Sequence, residues 1–147
     1  MNKLIFIVLA SLMACGEAGE PAADAGQTEV TDTWPNGTPK REVRIVAGDT
    51  VAERQYHPDG ALNQAGSYDA EGRRHGKWVA KYPDGAPWSE HTYDHGVQVG
   101  AYRTWYPGGI PHIEGEYDAE GRPTGTWKFY GPDGVVAREL PGSEIPN

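Results

Sequence analysis

The chain has 147 residues and a formal net charge of −8, from 13 Lys+Arg against 21 Asp+Glu. That length allows one domain, and the acidity argues against nucleic acid and anionic lipid headgroups, which select basic patches. A single Cys excludes an internal disulfide framework and a Cys-based zinc cage. From Trp34 onward only 15 residues are Leu, Ile, Val or Phe, while aromatics reach 10% of the chain. Any core is therefore built from rings.

The chain opens with Met1-Asn2-Lys3 and then runs without a charge from Leu4 to Ala14. This run is shorter than the roughly 20 residues that span a bilayer, and it matches the apolar segment of a secretory signal. Its end, Leu12-Met13-Ala14-Cys15, resembles the bacterial lipobox. The resemblance implies a signal peptide at 1–14, cleavage before Cys15, and a lipid on the Cys15 thiol as the membrane anchor. The Gly16 that follows, where an Asp is absent, implies an exported protein held at the outer membrane. Residues 16–33 hold five acids and no Lys or Arg. With nothing there to bury, 15–33 reads as a lipidated, disordered acidic tether with an r.m.s. span of roughly 21–25 Å.

The body, 34–142, repeats itself, and a tail of 143–147 follows. Counting from turn glycines gives three copies at 60–85, 85–109 and 109–134, with periods of 25, 24 and 25. Tyr68, Gly72, Gly76, Trp78 and Gly85 recur as Tyr93, Gly96, Gly100, Tyr102 and Gly109, then as Tyr117, Gly121, Gly125, Trp127 and Gly134. A degenerate copy at 37–60 has Ile45 in the Tyr position and Ala52 for a Gly. Terminal repeats of a stack are expected to be atypical.

Each copy reads as two strands and two turns. Pro58-Asp59-Gly60, Pro83-Asp84-Gly85 and Pro132-Asp133-Gly134 carry turn chemistry, as do the Asp-Ala-Glu-Gly runs at 69–72 and 118–121. Between them, aromatics at period two predict strands. The fold expected is all-β: an elongated single-layer antiparallel sheet of tandem hairpins with about eight strands. Alternation puts Tyr68, Tyr93, Tyr117, Trp78, Tyr102 and Trp127 on one face. Lys77, Arg103, Lys128, Glu90 and Glu114 take the other, with Trp88, Trp105 and Tyr130 among them. Gly76, Gly100 and Gly125 fall inside strands, which suggests that a neighbouring ring covers their bare backbone.

The run from Gly72 to Gly85, with Gly76, Trp78 and Tyr82 at fixed offsets, resembles the MORN repeat, more closely its bacterial variant. So does Gly121 through Gly134. The resemblance covers about 34–142 and implies a scaffold or interaction module. Members of this group often carry the label of YwqK-type toxin–antitoxin antitoxins, which implies an inhibitor of a partner protein as an alternative function.

Little catalytic chemistry is visible. Ser67, Ser89 and Ser143 lie in no nucleophile elbow. His91 and His95 stand four apart, a metal spacing on a helix but not across a strand and turn. Asp69 with Glu71, and Asp118 with Glu120, are turn residues. The expectation is a protein that is not an enzyme, with no metal, no cofactor and no small-molecule ligand. It is read as an envelope-tethered binding module that docks a protein partner through exposed aromatics and sheet edges, Trp88, Trp105 and Tyr130 foremost. A cell-surface carbohydrate or peptidoglycan binder is the alternative.

Overall fold

The computed structural model describes residues 26–146. The segment read as a signal peptide, Cys15 and most of the segment read as a tether lie outside them. Ten strands form one antiparallel sheet in which sequence order is spatial order. They are β1 (Gln27–Thr33), β2 (Pro39–Val46), β3 (Asp49–Tyr56), β4 (Leu62–Tyr68), β5 (Arg74–Lys81), β6 (Pro87–Asp94), β7 (Val97–Trp105), β8 (Pro111–Tyr117), β9 (Pro123–Tyr130) and β10 (Val136–Pro141). One 3₁₀ turn, Gly142–Glu144, follows. The count is close to the about eight strands expected. At the N-terminal end of the sheet, β1 occupies residues whose composition reads as tether. Its side chains bury nothing, but its backbone pairs with β2 from Gln27 opposite Ile45 to Thr33 opposite Pro39. Composition reports side-chain burial, not an available backbone ladder.

Register sorts the side chains. Ala80, Ser89, Thr104, Ile113 and Phe129 run across five strands as one row of the ring face. On the other face, Glu90, Arg103, Glu114, Lys128 and Glu139 form a row that alternates in sign at every step. No step of this row sets like charges directly opposite each other, an arrangement that destabilises a sheet.

The core is two tryptophans. Trp78 is 2% exposed and Trp127 3% exposed. Each ring lies over a glycine of the preceding strand. A Cβ on Gly66 would meet the Trp78 ring at 2.0 Å, and one on Gly115 would meet Trp127 at 2.2 Å. In the middle repeat the same two positions hold Tyr102 and His91, with ring centroids 4.8 Å apart. The smaller Tyr leaves room for an imidazole where Trp requires bare backbone. Edge-to-face contacts of Tyr68 and Tyr93 with Trp78, and of Tyr117 with Trp127, continue the spine.

The in-strand glycines have a different role from the one that their position suggests. No ring covers Gly76, Gly100 or Gly125, and nothing lies within 4 Å of a Cβ built on any of them. Their φ values are 74°, 66° and 63°. Each begins a bulge in which three residues oppose one: Gly76-Lys77-Trp78 face Gly66, Gly100-Ala101-Tyr102 face His91, and Gly125-Thr126-Trp127 face Gly115. The bulge swings the ring back over the preceding strand, and its first residue needs left-handed backbone.

A second periodic device joins the repeats at the opposite strand ends. Trp34 Nε1 donates to the Tyr56 carbonyl at 3.0 Å, and His57 Nε2 lies 3.0 Å from the Lys81 carbonyl. Tyr82 Oη donates to the Trp105 carbonyl at 2.8 Å, and Tyr106 Oη to the Tyr130 carbonyl at 3.0 Å. Each repeat thus reaches across to the strand end of the next. Gly131, at the last such position, has no side chain with which to continue.

The two glycine classes respond differently to substitution. Gly66→Ala or Gly115→Ala overpacks against a ring and lowers unfolding free energy by about 1–3 kcal/mol, with loss of near-ultraviolet tryptophan dichroism. Gly76→Ala meets open space and carries only the positive-φ penalty, about 1–2 kcal/mol, with the tryptophan signal retained. Equal spectra for the Gly66 and Gly76 variants would contradict the assignment.

Candidate functional site

Of the aromatics expected to bind, Trp88 is the most open, at 51% exposed. It lies between the pairs Ala80 with Ser89 and Lys81 with Pro87, so it is the extra residue of a bulge. Asn63, His112 and Ala137 fill the same bulge in the other repeats. The fold therefore accepts amide, imidazole or methyl there and does not require an indole. The nearest ring is Tyr82, with a centroid separation of 6.5 Å.

Trp105 and Tyr130 are half-buried, and each is bonded, Trp105 through its backbone and Tyr130 through its side chain. The Trp105 carbonyl accepts the Tyr82 hydroxyl, and the Tyr130 hydroxyl donates to Glu114 at 2.6 Å. Tyr56 repeats the latter bond to Glu42 at 2.6 Å. A hydrogen bond to a carboxylate pushes the Tyr130 hydroxyl above its ordinary range. The three residues are not gathered into one patch. They lie at the ends of β6, β7 and β9; the Tyr82 and Tyr106 hydroxyls reach the carbonyls of Trp105 and Tyr130, and Trp88 has only its ring contact with Tyr82.

The ring face ends in an ion pair. Glu53, 7% exposed, pairs with Gly66 as Trp78 pairs with His91 and Tyr102 with Gly115, so register puts it, and not the Arg54 that counting from Ala52 would give, at the ring position of the degenerate first repeat. Arg41 donates to it through Nε at 3.0 Å and through Nη2 at 2.6 Å, and the Tyr68 hydroxyl adds 3.0 Å. Burial opposes this charge, yet the bonds from Arg41, Gln55 and Tyr68 outweigh it and hold the carboxyl below its ordinary value. A buried charge in a terminal repeat closes the ring spine without offering a further apolar surface.

At the other strand ends, two turns repeat one ionic arrangement. Arg73 binds Asp69 at 2.8 Å and Glu71 at 2.9 Å, and Arg122 binds Asp118 and Glu120 at 2.9 Å each. Only the first turn is joined by histidine. His95, from the β6–β7 turn, places Nδ1 2.7 Å from Asp69 Oδ2, and His75 and Asp94 complete the group. The pair singled out from spacing, His91 and His95, is not brought together. His91 packs on Tyr102, faces Gln98 at 2.9 Å, and is pushed toward the neutral form by burial and by Arg74. Residue spacing carries no sign of the His75–Asp94 juxtaposition. It follows from the β5–β6 register, in which Gly76 pairs with Tyr93 and so sets their neighbours opposite.

Glu53 sets the acid limit of the fold. A carboxyl whose folded pKa is depressed contributes stability above its ordinary value of 4.5, and that stability is lost as pH falls through the folded pKa. Denaturant midpoints should fall as pH drops below 4.5, and Glu53→Gln should be less stable at pH 7 with a shallower acid slope. Parallel acid slopes for the two proteins would exclude Glu53 as the source.

Among known proteins, no curated protein matches the chain. A solved structure described as the crystal structure of a GtfA/B complex bound to UDP and GlcNAc aligns over 83% of this chain and 25% of that one. The identity is 14% and the TM-score 0.42, and the chain spans about a quarter of that structure's length. The family model of the MORN repeat variant matches residues 74–95 and 123–142, the β5–β6 and β9–β10 hairpins. Two hairpins of the sheet thus match the MORN repeat variant.

Proposed function

We propose that the chain is a non-catalytic binding and scaffold module of the bacterial envelope, tethered through a lipid on Cys15 and docking a protein partner. The observation that carries this reading is Trp88, a large ring half open to solvent at a bulge where the sister repeats hold Asn63, His112 and Ala137. Exposed Trp is a frequent anchor of binding energy, and here packing gives no reason for its presence. The open sheet supports the same reading. β1 and β10 each pair on one side, and exposed Val30, Val135 and Val136 lie at those two ends. An unpaired strand edge is a template for an added strand from a partner.

Crosslinking and recovery from membranes tests the docking residue. Trp88→Ala should lose one specific envelope protein that the wild type retains, with sheet content unchanged. Recovery of an identical set by both would remove Trp88 from the interface, and binding to purified peptidoglycan instead would favour a glycan ligand. The tether is tested separately. Cys15→Ser should abolish partitioning into detergent and change the mass of the mature protein, and unchanged partitioning and mass would end the lipoprotein reading.

A further inference from the structure

The group of His75, Asp94 and His95 lies where the β4–β5 and β6–β7 turns meet, on the solvent side of the strand ends. Its ligand atoms lie within 4.8 Å of one another. His75 Nδ1 is 3.5 Å and His95 Nε2 is 3.7 Å from the same Asp94 oxygen, Oδ1. A tetrahedral ion with bonds of about 2.1 Å separates its ligands by roughly 3.4 Å, so two of the three edges are already near their bound length. Two imidazole nitrogens with one carboxylate oxygen suit zinc and its neighbours rather than calcium or magnesium, which take oxygen donors.

The surroundings prepare the donors. His95 Nδ1 is 2.7 Å from Asp69 Oδ2, which only accepts; in the tautomer that donates to it from Nδ1, the lone pair is on Nε2. That is the carboxylate–histidine pairing that orients metal-bound imidazoles. Asp69 is itself fixed: its side chain is 6% exposed and takes hydrogen bonds from the Arg73 backbone and guanidinium at 2.8 Å each. The Arg73 guanidinium also lies 2.9 Å from His95 Nδ1, where it can only donate, so the site uses the tautomer in which Arg73 is held by Asp69 and Glu71 while Nδ1 donates to Asp69. On the other ligand, the His95 backbone N–H makes only a long, 3.4 Å bond to the His75 Nδ1 lone pair, and the ion takes that lone pair in its place.

The fold does not ask for these residues. His95 sits at φ 46° in a two-residue hairpin turn before Gly96, and Ala47 fills the same place before Gly48 at φ 51°. The positions equivalent to His75 in the next two repeats are Val99 and Thr124, and the Asp118 turn repeats the Asp69–Arg73–Glu71 arrangement without an imidazole. Two histidines have been added to one turn cluster out of several that fold without them. We propose that His75, Asp94 and His95 bind a divalent ion of the zinc class, with Asp69 orienting His95 and a fourth position open to water or to a donor from another molecule. The site is separate from Trp88 and independent of the docking role.

Titration of the full chain carrying Cys15→Ser, in detergent, with Zn²⁺ and with Co²⁺ tests this without a competing thiol. One ion per chain should bind with micromolar affinity, and Co²⁺ should give the visible bands of a tetrahedral N/O site. His95→Asn keeps the turn, because Asn accepts positive φ, and should weaken binding at least tenfold with an unchanged far-ultraviolet spectrum. Asp94→Asn should do the same, and Asp69→Asn should weaken binding 10–100-fold while preserving the Co²⁺ bands. His112→Ala, which installs the residue found at Ala137, should leave the affinity as in wild type. Equal affinity in wild type and His95→Asn, a loss as large in His112→Ala, or binding only at millimolar Zn²⁺ would overturn the proposal.

Discussion

Trp78 over Gly66 and Trp127 over Gly115 are the contacts on which the rest of the sheet depends. A single sheet has no second layer to cover its rings, so each ring is buried against the sheet itself. That requires two local conditions in adjacent strands. One strand must present backbone with no Cβ, and the next must fold back over it through a bulge that begins at a left-handed glycine. Neither works alone: without the bulge the ring stands clear of the preceding strand, and with a methyl beneath it the ring has nowhere to lie. The Tyr102–His91 repeat supports this coupling, because a smaller ring and a larger partner change together at one pair of positions.

The other regularities keep this unit in step along the chain. The side-chain-to-carbonyl bonds from Trp34, His57, Tyr82 and Tyr106 tie the strand end of each repeat to the next. The alternating row from Glu90 to Glu139 keeps like charges from facing each other on the opposite face, where the Tyr130 hydroxyl is bonded to Glu114. Both ends of the spine are finished differently from its middle. Glu53 with Arg41 replaces a ring at one end, and Gly131 stops the bonded ladder at the other. A stack built from nearest-neighbour contacts needs such ends, since each terminal unit lacks one partner.

Departures from the repeat mark residues that the fold itself does not require. Trp88 fills a bulge that tolerates Asn, His and Ala, and His75 with His95 decorates a turn whose sister copy at Asp118 is complete without them. Both features fall within 74–95, one of the two segments matched by the MORN repeat variant. The repeat is thus its own internal control: what recurs belongs to the sheet, and what occurs once is available for recognition.

Much of the architecture was legible because it is local. Turn glycines, aromatic alternation and the period of 24–25 specified an all-β meander and the faces of Trp78, Tyr102 and Trp127, since side-chain direction in a strand depends only on parity. The MORN-type signature was legible for the same reason. Three things were decided only by the tertiary structure. Residues 27–33 became a strand because β2 offered a free edge, a property of the neighbour and not of their own composition. The in-strand glycines became bulge residues while Gly66 and Gly115 received the rings, because a bulge displaces a side chain by two residues across the ladder and parity does not record such a shift. His75 met Asp94 and His95, twenty residues away, because register carried them opposite one another, and contacts across a hairpin depend on the pairing of two strands and not on the sequence of either alone.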